Sequence, residues 1–375
     1  MSTDQEMTEI SRVDKQLNIY VSPIMVILSW IGNVLSIMIL RRKAFRSMPM
    51  SVYLRFLAVM DAGTVVTGLL PRFVVALTGY DVRGTNELSC QFQVYTVYVF
   101  TELSAWTLVI VTTERVISIV RPHKVKLLCT KHTSYAALLV ATIFLAGANI
   151  PIFFFFGQAP LPSESKSSTD VIQQYPNSAV TGGGALVANR TVVEFLPCGI
   201  KGDNQFKQTW FVTHFLKQSL LPFVILFVFN IVIIVSLIKR RNSFKTKYAN
   251  DAVKSAANDA VNDSKEHLDA PGNADKSHVA QKRPNMASRK DTSICLMLVT
   301  VNAVFLICNF PIGIYQQVEP TLPREVVASH GNTLLYTFLV FILYLNNTLN
   351  FVLYCVSGSR FRTELWSMCQ CQKQV

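Results

Sequence analysis

Seven long stretches of the chain are almost entirely apolar, and polar segments separate them. At 1.5 Å of rise per residue, each stretch is long enough to cross a hydrocarbon core of about 30 Å as a helix. The stretches are 19–40, 50–78, 90–122, 134–156, 210–238, 291–314 and 332–356. This pattern predicts an all-α membrane protein, a bundle of seven transmembrane helices.

The polar segments divide the rest of the chain. Residues 1–18 form a polar N-terminal segment, the helical domain covers 19–357, and 358–375 form a short tail. Residues 161–191 are rich in Ser, Gly and Asn, and 242–288 are strongly polar, which is typical of long, mobile loops. We expect neither loop to be a separate domain.

Composition and charge support a membrane protein. Half of the 375 residues are hydrophobic and 15% are charged, against about a quarter charged in soluble domains. The basic runs 41–46, 121–131, 239–247 and 282–290 all fall on one side of the predicted bundle, with Arg360 and Arg362. By the positive-inside rule that side is cytoplasmic, and the N-terminus is extracellular in the plasma membrane. The net charge of +12 is explained by these loops rather than by nucleic-acid binding.

Specific residues in these stretches resemble a known family. Cys90 and Arg115 lie 25 residues apart on the third stretch, which places them about 37 Å apart along a helix. The other motifs are Glu114-Arg115-Val116, Phe305 to Pro311 and Asn350 to Tyr354. Together they resemble the rhodopsin (class A) family of G-protein-coupled receptors. After the seventh stretch, Gly358 to Arg362 resembles the start of that family's short amphipathic cytoplasmic helix.

The resemblance implies roles for residues at the predicted cytoplasmic side. Arg115 would be held by Glu114 in the inactive receptor and would contact the G protein when released. Asp291 would be a second clamp on that arginine, or would only begin its helix as acidic residues often do. Tyr354 closes a motif in which Phe351 replaces the family's proline.

The same resemblance implies that helix bends transmit the signal. The residues concerned are Pro222, Phe305, Asn309 and Pro311. Asn309 replaces the family's tryptophan, so the usual aromatic switch is absent. We expect the Asn309 amide to connect by hydrogen bonds to the polar residues around Asp61 instead.

Four polar residues match the family's sodium site: Asp61, Ser104, Asn346 and Asn350. One carboxylate with several neutral oxygens suits a small cation. The alternative is a polar network that only joins helices. We expect no other cofactor and no enzyme activity.

The resemblance also implies a disulfide between Cys90 and Cys198 at the external side, and it locates a ligand pocket. Val97 stands where amine receptors carry an aspartate, and the seventh stretch lacks the lysine that opsins need. The candidate pocket residues are Arg72, Glu102, His214, Lys217, Gln218, Tyr315, Gln316, Tyr336 and Tyr344. Arg72 would contact the ligand or extend to water. Glu102 would be protonated, contact the ligand, or pair internally with His214 or Gln218, and internal pairing is favoured.

Modification sites complete these predictions. Asn189 begins a glycosylation sequon in the predicted external loop. Cys369 and Cys371 would be palmitoylated at the membrane surface, or would stay free thiols.

The predicted function is therefore that of a G-protein-coupled receptor. The motifs ERV, NFxLY and LRFLAVMD resemble invertebrate neuropeptide receptors of the FMRFamide and thyrotropin-releasing-hormone type. The implied partners are a heterotrimeric G protein, an extracellular peptide-like ligand, arrestin and membrane lipids. The alternatives are a chemosensory or lipid receptor of the same fold and, in a different class, a transporter or channel.

Overall fold

Long helices account for most of the structure, a computed structural model that describes residues 2–157, 198–201, 204–239, 242–243, 246, 286–323, 326 and 330–371. We number the long helices and the last one in chain order. They are α1 (Ser2–Leu40), α2 (Met50–Thr78), α3 (Glu87–Val120), α4 (Lys131–Ala148), α5 (204–239), α6 (Met286–Val318), α7 (His330–Ser357) and α8 (Ser359–Cys371). A short helix, Ile152–Phe155, extends α4.

The predicted seven-helix membrane bundle is confirmed. Helices α1 to α7 are long and apolar enough to cross a membrane, α4 together with its extension, and α8 follows the seventh span. The main difference is at the start of the chain, where α1 begins at Ser2 rather than at the predicted Ile19. Its polar turns contact the bundle, because Thr337 Oγ1 of α7 donates a 2.6 Å hydrogen bond to Asp14 Oδ1.

Local sequence signals set several helix ends. The Asn86 side chain accepts a 2.7 Å hydrogen bond from the Ser89 amide and caps α3. Helix α2 ends where Gly79 adopts a left-handed conformation with φ of 74°, which glycine tolerates best. The predicted loops 161–191 and 242–288 lie almost wholly outside the described residues.

A disulfide joins Cys90 at the start of α3 to Cys198. Beside it, strand β1 (Phe156–Gly157) pairs antiparallel with β2 (Gly199–Ile200). The bundle therefore has two distinguishable ends, which we call the disulfide end and the α8 end. The Cys90–Cys198 pairing implied by the resemblance is present in the structure.

Helix α5 contains a wide π-helical turn, Leu216–Leu220, in which the Leu221 amide donates to the carbonyl of Leu216. In the same register, residue 222 would donate to the Lys217 carbonyl, but Pro222 has no N–H. Trp106 of α3 replaces the missing donor, with a 3.0 Å bond from Nε1 to that carbonyl. The backbone group that proline leaves unpaired thus joins α5 to α3.

The largest apolar core lies towards the α8 end. Phe305 of α6, Tyr354 of α7 and Phe361 of α8 are all almost completely buried in it. The rings of Tyr354 and Phe361 lie 5.5 Å apart between centroids. Helix α8 is therefore part of the packed bundle, and Arg42 also binds it through a 2.7 Å ion pair with Glu364.

Candidate functional site

A cavity of about 240 Å³ lies between α2, α3, α5, α6 and α7. Six of the predicted pocket residues line it: Arg72, His214, Gln218, Gln316, Tyr336 and Tyr344. Glu102, Lys217 and Tyr315 are not among the lining residues. Sequence reasoning missed Arg83 and Tyr98, which also line the cavity, and Asn309, predicted as a transmission residue beneath the ligand, lines it as well.

Two arginines face the cavity. Arg72 Nη2 donates a 3.2 Å hydrogen bond to the Tyr336 hydroxyl, and its guanidinium carbon lies 5.2 Å from the centre of the same ring. Arg83 forms a two-point ion pair with Asp81, at 2.9 Å and 2.7 Å. Each guanidinium is therefore held in a defined position.

One wall of the cavity depends on the absence of a side chain at Gly68. A Cβ atom at this position would lie only 1.8 Å from the Tyr344 hydroxyl oxygen. The rigid ring could not move far, since Tyr344 is itself buried. Glycine at 68 therefore allows Tyr344 to occupy the wall of the cavity.

A charged cluster lies behind the cavity wall, around the fully buried Glu102. Its carboxylate accepts a 2.8 Å bond from Asn149, the residue that follows α4, lies 3.1 Å from Lys217 Nζ and contacts His214 Nδ1 at 3.3 Å. Pairing of Glu102 with His214 was predicted and is observed, whereas the contacts from Lys217 and Asn149 were missed. No Gln218 bond to this carboxylate occurs. The cluster ties α3, α4 and α5 together through groups that would be costly to bury singly.

Near the end of α6, Tyr315 joins two polar groups. Its hydroxyl donates to Glu319 Oε1 at 3.2 Å and contacts Asn332 Oδ1 at 3.0 Å. Burial raises the pKa of Glu319, and the hydrogen bond from Tyr315 partly opposes that rise. Tyr315 therefore joins α6 to α7 instead of lining the cavity.

Deeper in the bundle, Asp61 of α2 accepts hydrogen bonds from three residues. Ser104 Oγ and Asn347 Nδ2 donate to Oδ1 at 2.6 Å and 2.7 Å, and Asn350 Nδ2 donates to Oδ2 at 2.5 Å. Asn346, which was predicted as a further oxygen of the sodium site, makes no hydrogen bond to Asp61, and its neighbour Asn347 makes that contact instead. Successive helical residues point about 100° apart, so a shift of one residue changes the face.

This polar cluster has the chemistry of a cation site. The side-chain oxygen of Asn350, whose amide nitrogen donates to Asp61, is buried and accepts no hydrogen bond within the described residues. An unused buried oxygen beside a carboxylate fits a hard monovalent cation such as sodium. The cluster holds only one acidic group, and the described residues contain no group of three His, Cys, Asp or Glu side chains that could hold a metal ion.

The expected link from Asn309 to Asp61 is wrong. Asn309 Nδ2 instead donates to the Phe305 carbonyl one turn earlier on α6, at 3.0 Å. A different asparagine joins helices: Asn302 Nδ2 donates to Thr112 Oγ1 at 2.9 Å and to Asn230 Oδ1 at 3.0 Å. This link between α6, α3 and α5 was not predicted, since nothing in the sequence pairs these residues.

At the α8 end of α3, Arg115 Nη2 lies 3.1 Å from Glu114 Oε1. Both side chains are largely buried, so the pair is shielded from solvent. The side chain of Asp291 lies outside the described residues, as do Asn189 and the side chain of Cys371. Pro222 and Pro311 lie inside α5 and α6, and Cys369 is an exposed free thiol on α8.

The sequence matches the family model of the seven-transmembrane receptors of the rhodopsin family over residues 32–354. The chain belongs to this receptor family. As a rhodopsin-family receptor it transduces extracellular signals through G proteins, and it is a signalling receptor rather than an enzyme. The alternative of a transporter or channel is therefore wrong. A comparison with curated proteins finds no match.

Proposed function

We propose that the receptor lies in the plasma membrane with its disulfide end outside and that its ligand is a neuropeptide. The observation that carries this proposal is the cavity lining, which combines arginine, histidine, glutamine and tyrosine side chains. Such groups suit the amides and charged termini of a peptide better than a purely apolar ligand. The FMRFamide and thyrotropin-releasing-hormone type remains the proposed subfamily.

The cavity is small for a whole peptide. Its volume of about 240 Å³ is below the roughly 300–1,000 Å³ of sites that enclose drug-sized ligands. The receptor would therefore enclose only the end of its peptide, and the remainder would contact the disulfide end.

Helix α3 connects the cavity with the α8 end of the bundle. Tyr98 and Thr101 line the cavity, while Glu114 and Arg115 lie more than three turns further along the same helix. A ligand that binds one arrangement of α3, α5 and α6 more tightly shifts the population towards it. In the proposed mechanism this shift separates Arg115 from Glu114, and Arg115 then contacts the G protein.

We further propose that sodium is an allosteric ligand. The Asp61 carboxylate, the Ser104 hydroxyl and the Asn350 side-chain oxygen would hold the ion, and sodium would supply a positive charge that compensates Asp61. Arrestin and membrane lipids are proposed as further partners. Cys369 is positioned for lipidation because it is exposed on α8.

Screening a library of neuropeptides with amidated and with free C-termini tests the proposal in cells that express the receptor. We expect a calcium or cyclic-AMP response to a subset of peptides, and peptide-dependent nucleotide exchange on purified G protein. Arg115→Gln is the control variant, which we expect to keep peptide binding and to lose peptide-dependent nucleotide exchange on the G protein. A response to lipids or odorants with none to peptides would favour the chemosensory or lipid receptor instead.

A further inference from the structure

The two arginines of the cavity differ in how their charge is balanced. Arg83 has Asp81 as its ion-pair partner. In the described part of the chain, none of the ion pairs includes Arg72. Arg72 is thus a cation within a membrane-spanning helix whose charge the described side chains do not compensate.

The described residues that line the cavity include no Asp or Glu. Glu102 touches His214 from behind the wall, but it is fully buried and already pairs with Lys217. Among the described residues, a ligand ammonium group would therefore find no free carboxylate at the cavity, whereas a ligand anion would meet the positive charge of Arg72.

The geometry favours a binding role for Arg72 over simple extension to water. Tyr336 holds the guanidinium by its hydroxyl oxygen and by its ring face, at 3.2 Å and 5.2 Å. The Tyr336 oxygen accepts this bond, so its own O–H remains able to donate to a bound anion. The other guanidinium N–H groups form a planar fork that matches a carboxylate.

We propose that Arg72 and Tyr336 bind a carboxylate group of the ligand, with Ile312, Val340 and Leu343 receiving the adjacent apolar group. The inference deepens the proposed function and rests on it for the role of the site. The carboxylate would be the C-terminus or an acidic side chain of a peptide, or the head group of a fatty acid. A C-terminal carboxamide would leave the Arg72 charge uncompensated, so an amidated peptide of the proposed type would bind here through an acidic side chain.

Thermal unfolding of the purified full chain tests the subsite without any G protein. The probes are N-acetylphenylalanine and its C-terminal amide, which have nearly the same shape and differ in charge. At several times its dissociation constant, the acid should raise Tm by about 2 °C, and the amide by less than half as much. Arg72→Gln should abolish the advantage of the acid.

Two variants make the result specific. Arg12→Gln removes an exposed cation on the first turns of α1, outside the cavity, and should keep the full effect of the acid. Tyr336→Phe keeps the ring but removes the hydroxyl, and should reduce the advantage of the acid even if Arg72→Gln fails to fold. Equal shifts with acid and amide, no shift with the acid, or an acid effect unchanged in both cavity variants overturn the proposal.

Two further experiments distinguish a peptide carboxylate from that of a fatty acid, and failure of the subsite from failure of the proposed function. Decanoate and a tetrapeptide acid ending in phenylalanine are compared by the same shift in Tm. Stabilisation by decanoate alone supports the subsite but overturns the peptide ligand. If the peptide acid binds in a way that requires Arg72 but causes no nucleotide exchange on the G protein, the subsite is supported and the proposed peptide agonism fails.

Discussion

Lys217 Nζ lies 3.1 Å from Glu102 Oε1 in a part of the bundle where Glu102 has no solvent exposure. Helices α3 and α5 thus place opposite charges together away from water. Burying either charge alone is costly, whereas the pair, with Asn149 and His214, compensates much of that cost. The contact is accordingly more important for the arrangement of the two helices than an exposed pair would be.

Removing one charge of this pair should destabilise the receptor strongly. We expect Glu102→Gln or Lys217→Met to lower the free energy of unfolding by about 3–5 kcal/mol, and the double variant to cost less than the sum. Glu87→Gln is the control, because it breaks the more exposed Glu87–Lys201 pair and should cost at most about 1 kcal/mol. Thermal unfolding in one detergent compares all four, and additive effects would contradict the pairing.

The Cys90–Cys198 bond should behave as a single unit. Cys90→Ala and Cys198→Ala each remove the same cross-link between residues 108 positions apart, so each should lower stability by about 2–4 kcal/mol. The double variant should be no worse than either single one. Surface expression and thermal unfolding measure this, and clearly additive losses would show that the two cysteines act separately.

Sodium dependence should follow the contacts of Asp61. We expect Asp61→Asn to remove any effect of sodium on Tm. Asn347→Ala should weaken the sodium effect, because Asn347 donates to Asp61. Asn309→Leu should weaken it less, because the side-chain bond described for Asn309 lies within α6. The measurement replaces sodium by choline at constant ionic strength. If the Tm of the wild-type receptor ignores sodium, the ion site is wrong.

Asn302 should matter more for stability than Asn309. Asn302→Leu leaves Thr112 and Asn230 without their shared donor, so we expect a loss of about 1–3 kcal/mol. Asn309→Leu removes one bond to its own helix and should cost about 1 kcal/mol or less. Denaturation of both variants under the same conditions measures the two losses in free energy of unfolding. Equal losses would show that the contacts of Asn302 between helices add no stability.

The raised pKa of Glu319 predicts a pH effect with a definite sign. A carboxyl whose pKa is higher in the folded state favours folding when protonated, so its contribution falls as pH rises from about 4.3, the ordinary glutamate value. The difference in Tm, Glu319→Gln minus wild type, should therefore increase as the pH rises from acidic to neutral. A constant difference across that range would contradict the prediction.

The positions of the helices could be predicted from the sequence better than the contacts between them. The bounds of α2 match the prediction at both ends, because apolar residues run up to the left-handed Gly79. The start of α1 was missed, since its first turns are polar and hydropathy does not distinguish a polar helix from a loop.

Contacts across the bundle required the structure. The sequence indicated that Glu102 needs a partner, but the choice among α4 and α5 side chains depends on helix rotation. Lys217 lies in the π-helical turn, for which the sequence gives no distinctive signal, and it points to Glu102 rather than lining the cavity. Asn347 was missed as a partner of Asp61 for the same reason, because neighbouring asparagines on a helix point in different directions.

The π-helical turn of α5 carries a consequence for how this helix tolerates changes in length. A turn with one more residue than an α-helical turn is the place where a single-residue deletion can be absorbed into regular helix. Because the π-helical turn fits its extra residue into about the rotation of one α-helical turn, such a deletion within 218–220 would leave the flanking parts of α5 facing as they do now. The amide of residue 221 would still donate to the Leu216 carbonyl, and the Lys217 carbonyl, which Pro222 leaves without a backbone donor, would still accept from Trp106. The change would fall on Gln218 and Ser219, which line the cavity. The extra residue of this segment therefore shapes the cavity wall rather than the link between α5 and α3.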